Sequence, residues 1–372
     1  MLKVLQKFDW YLIVSVLIVF TFGLVTMNSF TAEAGYFDRQ IIWGSIAFLV
    51  MIGAAFIDFR FLRRTSVVTT LFLIVVFGLL LTFGLGHVAK GAKSWLNAGL
   101  FSIQPTDPAK VALIILLAKY FSRRHVEIAH IRHILVSGFY AFIIFILVAL
   151  QPDFGSAVTI FAIWLGMVLV SGISKKHLAL VFGVAAVSVF LLWNFGFAQY
   201  QKDRIKTFLH PLADVRGSGY NANQAMITVG SGQILGKGVG YGTQSRLNFL
   251  PEYQTDFIFA AFAEEWGFVG VVLLFILFGV IFWRILHYAI RGETNFEILY
   301  ASGLAIFLMT HLIINLGMNI GIVPVTGIPV PLMSYGGSHL VTEMLALGVL
   351  MGMRKYSRAA HKESIHNEYL GG

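Results

Sequence analysis

RLNFLPEYQTDFIFAAFAEEWGFVG, residues 246 to 270, decides the fold: a polar stretch ending in Asp256 turns directly into an apolar run that continues to about residue 283. Four acids, Glu252, Asp256, Glu264 and Glu265, fall within a few helical turns of that boundary, in a chain that is only 12% charged. A carboxylate at the centre of a membrane helix costs about 2.5 to 3.5 kcal/mol on insertion scales, so ionisable residues at such depth face protein or a water-filled cavity and mark a functional site by default. Continued as one helix at about 100° per residue, Ala260, Ala263, Gly267 and Gly270 share the face of Asp256. Such a small-residue face fits either a closely packed neighbouring helix or a ligand cavity.

Composition sets the class. Of 372 residues, 58% are hydrophobic and 34 are Phe, and the mean hydropathy of +0.80 exceeds what a soluble core of this size absorbs. The chain therefore reads as a polytopic membrane protein. Its first apolar run, Trp10 to Met27, is long enough to span a bilayer and is followed by no small-residue cleavage site, so it reads as a span and not as a signal peptide. Cys is absent, which excludes disulfides and cysteine-ligated metal or iron-sulfur sites. A net charge of +9 would point to nucleic acid in a soluble protein; here the bases lie between spans, the membrane accounts for them, and no nucleic-acid partner is expected.

The predicted fold is all-α, a bundle of ten transmembrane helices near residues 10–28, 40–57, 66–85, 108–121, 134–150, 154–171, 178–197, 257–283, 298–320 and 332–353. The fourth is short and must tilt or be sheltered inside the bundle; the eighth is longer than a bilayer requires. Together they form one membrane domain, 1–358, with one long loop at 198–256 and a polar, disordered tail at 359–372. Most of the 27 basic residues, including Lys3, Lys7, Arg60, Arg63, Arg64, Arg123, Lys175, Arg284, Arg291 and Arg354, fall on the side of the termini. The positive-inside rule then makes both termini cytoplasmic and the long loop extracytoplasmic. No internal repeat is evident, so an inverted-repeat transporter has no positive support.

Under this topology four polar segments share the extracytoplasmic side. Gly91 to Lys110 ends in Gln104, Pro105, Asp107 and Lys110, where proline and an acid suit a first helical turn. A capped helix with a local Asp107–Lys110 pair and a ligand-binding role both fit. The turn Gln151-Pro152-Asp153-Phe154-Gly155 places Asp153 as a helix cap or a direct contact. Residues 200–247 are Gly-rich and interleave Arg204, Arg216, Arg246 and lysines with amides and aromatics. Such backbone can present N–H groups to phosphate oxygens, although GKGVGYG lacks a nucleotide-fingerprint context and a structured, noncatalytic loop is the better reading. Ile322 to Ser338, IVPVTGIPVPLMSYGGS, is non-helical backbone between spans nine and ten and must line a cavity or be sheltered by protein. Glu343 lies inside the tenth span, with His339 one turn away on the same face as its expected partner.

Taken in order, the Gln-Pro-Asp-Phe-Gly turn at 151–155, the block from Tyr200 through Asp256 with its LPE and TDFIFA ends, and the PVTGIPVPLMSYGGS loop at 324–338 resemble the SEDS family of bacterial cell-wall proteins over residues 10–354. The resemblance implies a membrane peptidoglycan glycosyltransferase of cell elongation that polymerises lipid II, extending a nascent glycan strand in the cell membrane. Its implied partners are a class B penicillin-binding protein and other cell-elongation membrane proteins. The family's characteristic acid falls on Asp256, and its acid and base before the fourth span fall on Asp107 and Lys110. Gln104, Asp153, Arg204, Arg246, Glu252 and Ser334 are the further candidate substrate contacts. Asp-Pro at 107–108 stands where Glu and an apolar residue are more usual, and His339 and Glu343 are unusual at their positions.

In that reaction a sugar 4-hydroxyl attacks an anomeric carbon, inverts it and expels undecaprenyl pyrophosphate. Pyrophosphate leaves far more readily than the sugar oxygen that a glycosidase must protonate, so one carboxylate base, Asp256, plus positive charge on the phosphates suffices. Lys110 or an arginine of the long loop supplies that charge. No cofactor is required, but a divalent cation, Mg²⁺ or Mn²⁺, is compatible, with Asp256 as its candidate ligand. Two rivals share these residues: a lipid II flippase, which predicts polar residues through the depth of the bundle, and a noncatalytic scaffold, which has no use for an acid in a small-residue groove.

Overall fold

In the computed structural model the described residues are 8–29, 35–89, 92–98, 101–123, 131–196, 199–209, 218–247 and 249–370. Helices occupy all ten expected positions: α1 (Trp10–Asn28), α2 (Tyr36–Ala55), α3 (Thr65–Leu85), α4 (Thr106–Ser122), α5 (Ile131–Leu150), α6 (Phe154–Val170), α7 (Lys175–Leu191), α11 (Ile258–Ile290), α12 (Asn295–Asn319) and α13 (Gly337–Leu370). Among the described residues, seven helices are long and apolar enough to cross a membrane, counting α7 with the π-helical turn that follows it. The chain is an all-α polytopic membrane protein.

Side-chain patterning shows why. In α3, Val68, Phe72, Val75 and Leu79 form a buried stripe at helical spacing, yet Leu73, Ile74, Phe77 and Leu80 on the outer face are as apolar as the stripe. A helix that is hydrophobic all round is solvated by lipid or by protein. The short α4 is the protein-solvated case: it is buried along nearly its whole length, packed against α3, α6, α12 and α13, which is the sheltering its length required. α12 is likewise central, α2 runs along α13, and α11 packs on α1 and α12. α7 buries no residue fully and meets the core through half-buried Val181.

The loops hold more structure than expected. β1 (His87–Ala89), β2 (Ala92–Ala98) and β3 (Phe101–Ile103) form an antiparallel meander ahead of α4, with Leu96 opposite Ile103. The long loop contains α8 (Gln199–Leu209), α9 (Ser218–Ser231) and the single turn α10 (Thr243–Arg246). α13 continues through the polar tail to Leu370.

Charge marks the end of the bundle opposite these loops. Asp9 caps α1 and receives both Nε, at 2.9 Å, and Nη2, at 2.6 Å, of Arg284, while Arg63 pairs with Glu297 at 2.6 Å. The bidentate Asp9–Arg284 pair fastens α1 to α11.

Candidate active site

The turn leading into α11 is held from outside at three successive carbonyls. Tyr335 N–H donates to the Gln254 carbonyl at 2.9 Å, Ser334 Oγ to that of Thr255 at 2.7 Å, and Asn315 Nδ2 to that of Asp256 at 2.9 Å. Asn315 Nδ2 also donates to the Ile328 carbonyl at 2.7 Å, and Asn319 Nδ2 to the Asp256 carbonyl at 3.3 Å. Two buried amides one turn apart on α12 thus tie Asp256 to the PVTGIPVP loop. The Asp256 carboxylate faces that loop at Gly327, where φ is +76° and an added Cβ would lie 3.6 Å from Oδ2. The N-cap position of α11 falls on Phe257 and makes no side-chain cap bond.

The other polar segments converge here. Gln104 Nε2 donates to Asp153 Oδ2 at 3.0 Å, and the Gln104 N–H to Ser338 Oγ at 3.1 Å. Asp153 is the N-cap of α6, accepting from the Ser156 N–H at 3.0 Å, as its cap reading expects. Gly155 lies so close to the fourth segment that a Cβ there would stand 2.9 Å from the Thr326 carbonyl and 2.7 Å from Ile328 Cγ1. Any larger residue would push the two turns apart. Behind them, the expected Asp107–Lys110 pair is present at 3.3 Å, with the two residues 4% and 2% exposed.

Several acids and loop groups have roles other than those expected. The small-residue face is closely packed and is not a ligand cavity: a Cβ on Gly232 would lie 2.0 Å from the Ala263 carbonyl, and Gly267, at φ +64°, breaks the helical phase. Asp256 precedes the first helical residue, so the projection from it did not apply. Glu264 and Glu265 are anchors. Glu264 accepts from Lys237 Nζ at 2.7 Å, the Gln244 N–H at 3.0 Å and Ser245 Oγ at 3.3 Å, and Glu265 accepts from the Gly240 N–H at 2.7 Å. Lys237 and Gly238 N–H groups donate to the carbonyls of Glu264 and Glu265 at 2.9 and 3.0 Å. The Gly-rich backbone does bind anions, but they are the protein's own carboxylates.

Ser334 is fully buried, and its hydroxyl is occupied by Thr255 and by the Val330 N–H at 2.8 Å, so it positions the loop. Glu343 accepts from the Leu332 N–H at 2.8 Å and faces His311 at 3.8 Å; the expected His339 bond is not formed, because His339 is packed beside Gly336. Glu252, at φ +51°, accepts from Thr255 Oγ1 at 3.0 Å on the exposed side of the turn. Arg246 is exposed at the end of α10 and Arg204 half-buried on α8; Arg216 lies outside the described residues. Among the described residues no cluster of three or more His, Asp or Glu side chains is arranged to hold a metal ion. Any cation at Asp256 would complete its shell from water, carbonyl or amide oxygens or substrate phosphates.

Sequence reading missed Asn315, Asn319 and Gln40. Gln40 on α2 donates to the Ser334 carbonyl at 3.1 Å and accepts from the Gly336 N–H at 3.2 Å. All three are uncharged amides within apolar helices, the signal that identifies them.

Fold and site together define a helical membrane protein with an acid-bearing turn clamped at one end of its bundle. The chain belongs to the FtsW/RodA/SpoVE family of cell cycle proteins, whose pattern matches residues 3–359. It is 34% identical over 351 residues to the peptidoglycan glycosyltransferase MrdB of Escherichia coli K12, covering 94% of each chain. It is also 34% identical over 360 residues to the stage V sporulation protein E of Bacillus subtilis, covering 94% of this chain and 98% of that one. Among solved structures it matches, at a TM-score of 0.81 and 28% identity, a chain of a peptidoglycan synthase complex that coordinates polymerization and crosslinking, covering 94% of this chain and 98% of that one. The rod shape determining protein RodA of Thermus thermophilus matches at a TM-score of 0.70 and 27% identity, covering 93% of this chain and 97% of that one.

Proposed function

We propose that this chain is a peptidoglycan glycosyltransferase that polymerises lipid II on the extracytoplasmic face of the bacterial cell membrane, with both termini cytoplasmic. It works in cell elongation beside a crosslinking penicillin-binding protein and other elongation membrane proteins. The observation that carries the reading is the clamp on residues 254–256, which fixes an acid beside Gly327 in the loop against which the Gly155 turn packs. A rigid carboxylate is what a general base requires, because proton transfer depends on being held within hydrogen-bond reach of the hydroxyl.

In this mechanism Asp256 takes the proton of the acceptor's 4-hydroxyl as that oxygen bonds to the donor's anomeric carbon. The bond from that carbon to the phosphate oxygen breaks on the opposite face, and undecaprenyl pyrophosphate leaves with the electron pair. Gln104, Asp153 and the turn at Gly155 shape the floor of the site. Positive charge for the pyrophosphate comes from Lys110 within the bundle and from Arg246 and Arg204 on the loop side.

A flippase or scaffold does not need the Asp256 proton acceptor. Asp256→Asn keeps the volume of the side chain and leaves the backbone clamp intact, since the clamp uses carbonyls. Polymer formed from lipid II by the purified variant is expected to fall by at least about two orders of magnitude, the scale of a general-base contribution. Equal polymer from wild type and monodisperse variant would remove Asp256 from the chemistry and reopen both rivals.

A further inference from the structure

Five ionisable side chains lie together inside the bundle: Asp107 and Lys110 on α4, His311 on α12, and His339 and Glu343 on α13, none more than 7% exposed. Lys110 Nζ is 3.3 Å from Asp107 Oδ1, and His311 Nδ1 is 3.8 Å from Glu343 Oε1. Phe307 bridges the two pairs, its ring centroid 6.0 Å from Lys110 Nζ and 4.6 Å from that of His311. The charges of Asp107 and Lys110 act on Glu343 and on His339, and that of Lys110 acts on His311. Ser338, next to His339, holds the backbone of Gln104 at the start of α4.

Glu343 Oε2 accepts from the Leu332 N–H, but Glu343 Oε1, Asp107 Oδ2, His339 Nε2 and both His311 ring nitrogens have no hydrogen-bond partner among the described residues. Native interiors leave few such atoms, and an apolar set of the same shape would fill the space with less desolvation penalty. Groups retained against that penalty around one ion pair call for a role in what the pair does.

We propose that Glu343 and His311, with His339, form a positioning network for the Asp107–Lys110 pair, setting where the Lys110 ammonium stands during glycosyl transfer. The inference rests on the reading of Lys110 as part of the site. Glu343 adds a second acid to the surroundings of Lys110, fixed by the Leu332 N–H at the end of the PVTGIPVP segment.

The test is a double-mutant cycle on the full chain reconstituted in lipid nanodiscs, with fluorescent lipid II as substrate. Glu343→Gln keeps the shape and the acceptor for Leu332 while removing the ionisable group. It is expected to lower kcat about tenfold with KM nearly unchanged, to leave the thermal midpoint in place, and to cost less than about twofold more in a Lys110→Arg background. Glu343→Asp, which restores the carboxyl group, is expected to recover part of the loss. Wild-type kcat in folded Glu343→Gln, or an equal loss in both lysine backgrounds, overturns the network. If Glu343→Gln does not fold, His311→Gln is put through the same cycle: a kcat loss that shrinks in the Lys110→Arg background supports the network, and no loss or an equal loss in both backgrounds overturns it. Full activity in Lys110→Met would instead overturn the reading of Lys110, whatever Glu343→Gln does.

Discussion

Lys110 is deeply buried, 2% exposed, and 3.3 Å from Asp107, so each member of the pair offsets the burial of the other. Removing one partner of a buried pair leaves the other unmatched, so Lys110→Met alone confounds lost charge with lost stability. Pairing it with Asp107→Asn removes both charges and most of that penalty. The double variant is expected to insert and purify normally while polymerising lipid II at least about tenfold more slowly, and Lys110→Arg to keep part of the activity. Polymer yield per folded protein checks this. Near-normal turnover in the double variant would move the pyrophosphate contact to Arg246, which is exposed on the loop side.

At the scale of elements, the segment Ser231–Arg246 and the start of α11 form one clasp, which glycine makes possible. Backbone crosses backbone at Gly232, Gly236 and Gly267, where added Cβ atoms would meet main-chain atoms at 2.0 to 2.2 Å. Glu264, fully buried, collects the donors of the far strand. Glu264→Gln turns an acceptor of several N–H groups into a mixed donor, and a buried donor left unmet costs about 1 to 3 kcal/mol. Amide exchange in 237–246 is expected to accelerate roughly five- to hundredfold while that in 300–318 stays unchanged, a difference measurable by mass spectrometry. Unchanged exchange at 237–246 would show that the glycine contacts hold the clasp without the carboxylate. Helices at the ten positions were legible from apolar run length, because lipid demands a sustained apolar stretch from the spans that face it. The clasp was not: the depth of Glu264 announced a buried acid, while its partner Lys237 lies 27 residues away, and hydropathy carries no information on which loop folds back. Asn315 and Asn319 were visible as amides at a helical spacing, but their target, the Asp256 carbonyl, is 59 and 63 residues distant.

For the molecule as a whole, the proposed function depends on which end faces which compartment, since it has lipid II polymerised outside the cytoplasm. The two ends differ in chemistry. One carries Asp9, Arg63, Arg284, Glu297 and Arg354 in ion pairs; the other carries the clasp, the meander and the clamped Asp256 turn. Positive charge in short loops is retained on the cytoplasmic side, and the proposed topology accordingly has the ion-paired end there and Asp256 outside. The chain has no cysteine, so a single introduced thiol reports its own side. Tyr241 is 70% exposed within the clasp, and Arg291 is exposed in the turn after α11. Tyr241→Cys is expected to react with a membrane-impermeant maleimide in intact spheroplasts, and Arg291→Cys only after the membrane is opened. The helix between them, α11, is long enough to cross a bilayer once, so the two thiols must report opposite sides if it spans. Labelling of Arg291→Cys with Tyr241→Cys protected would place Asp256 in the cytoplasm and exclude extracytoplasmic polymerisation. Labelling of both from outside would mean that α11 does not cross.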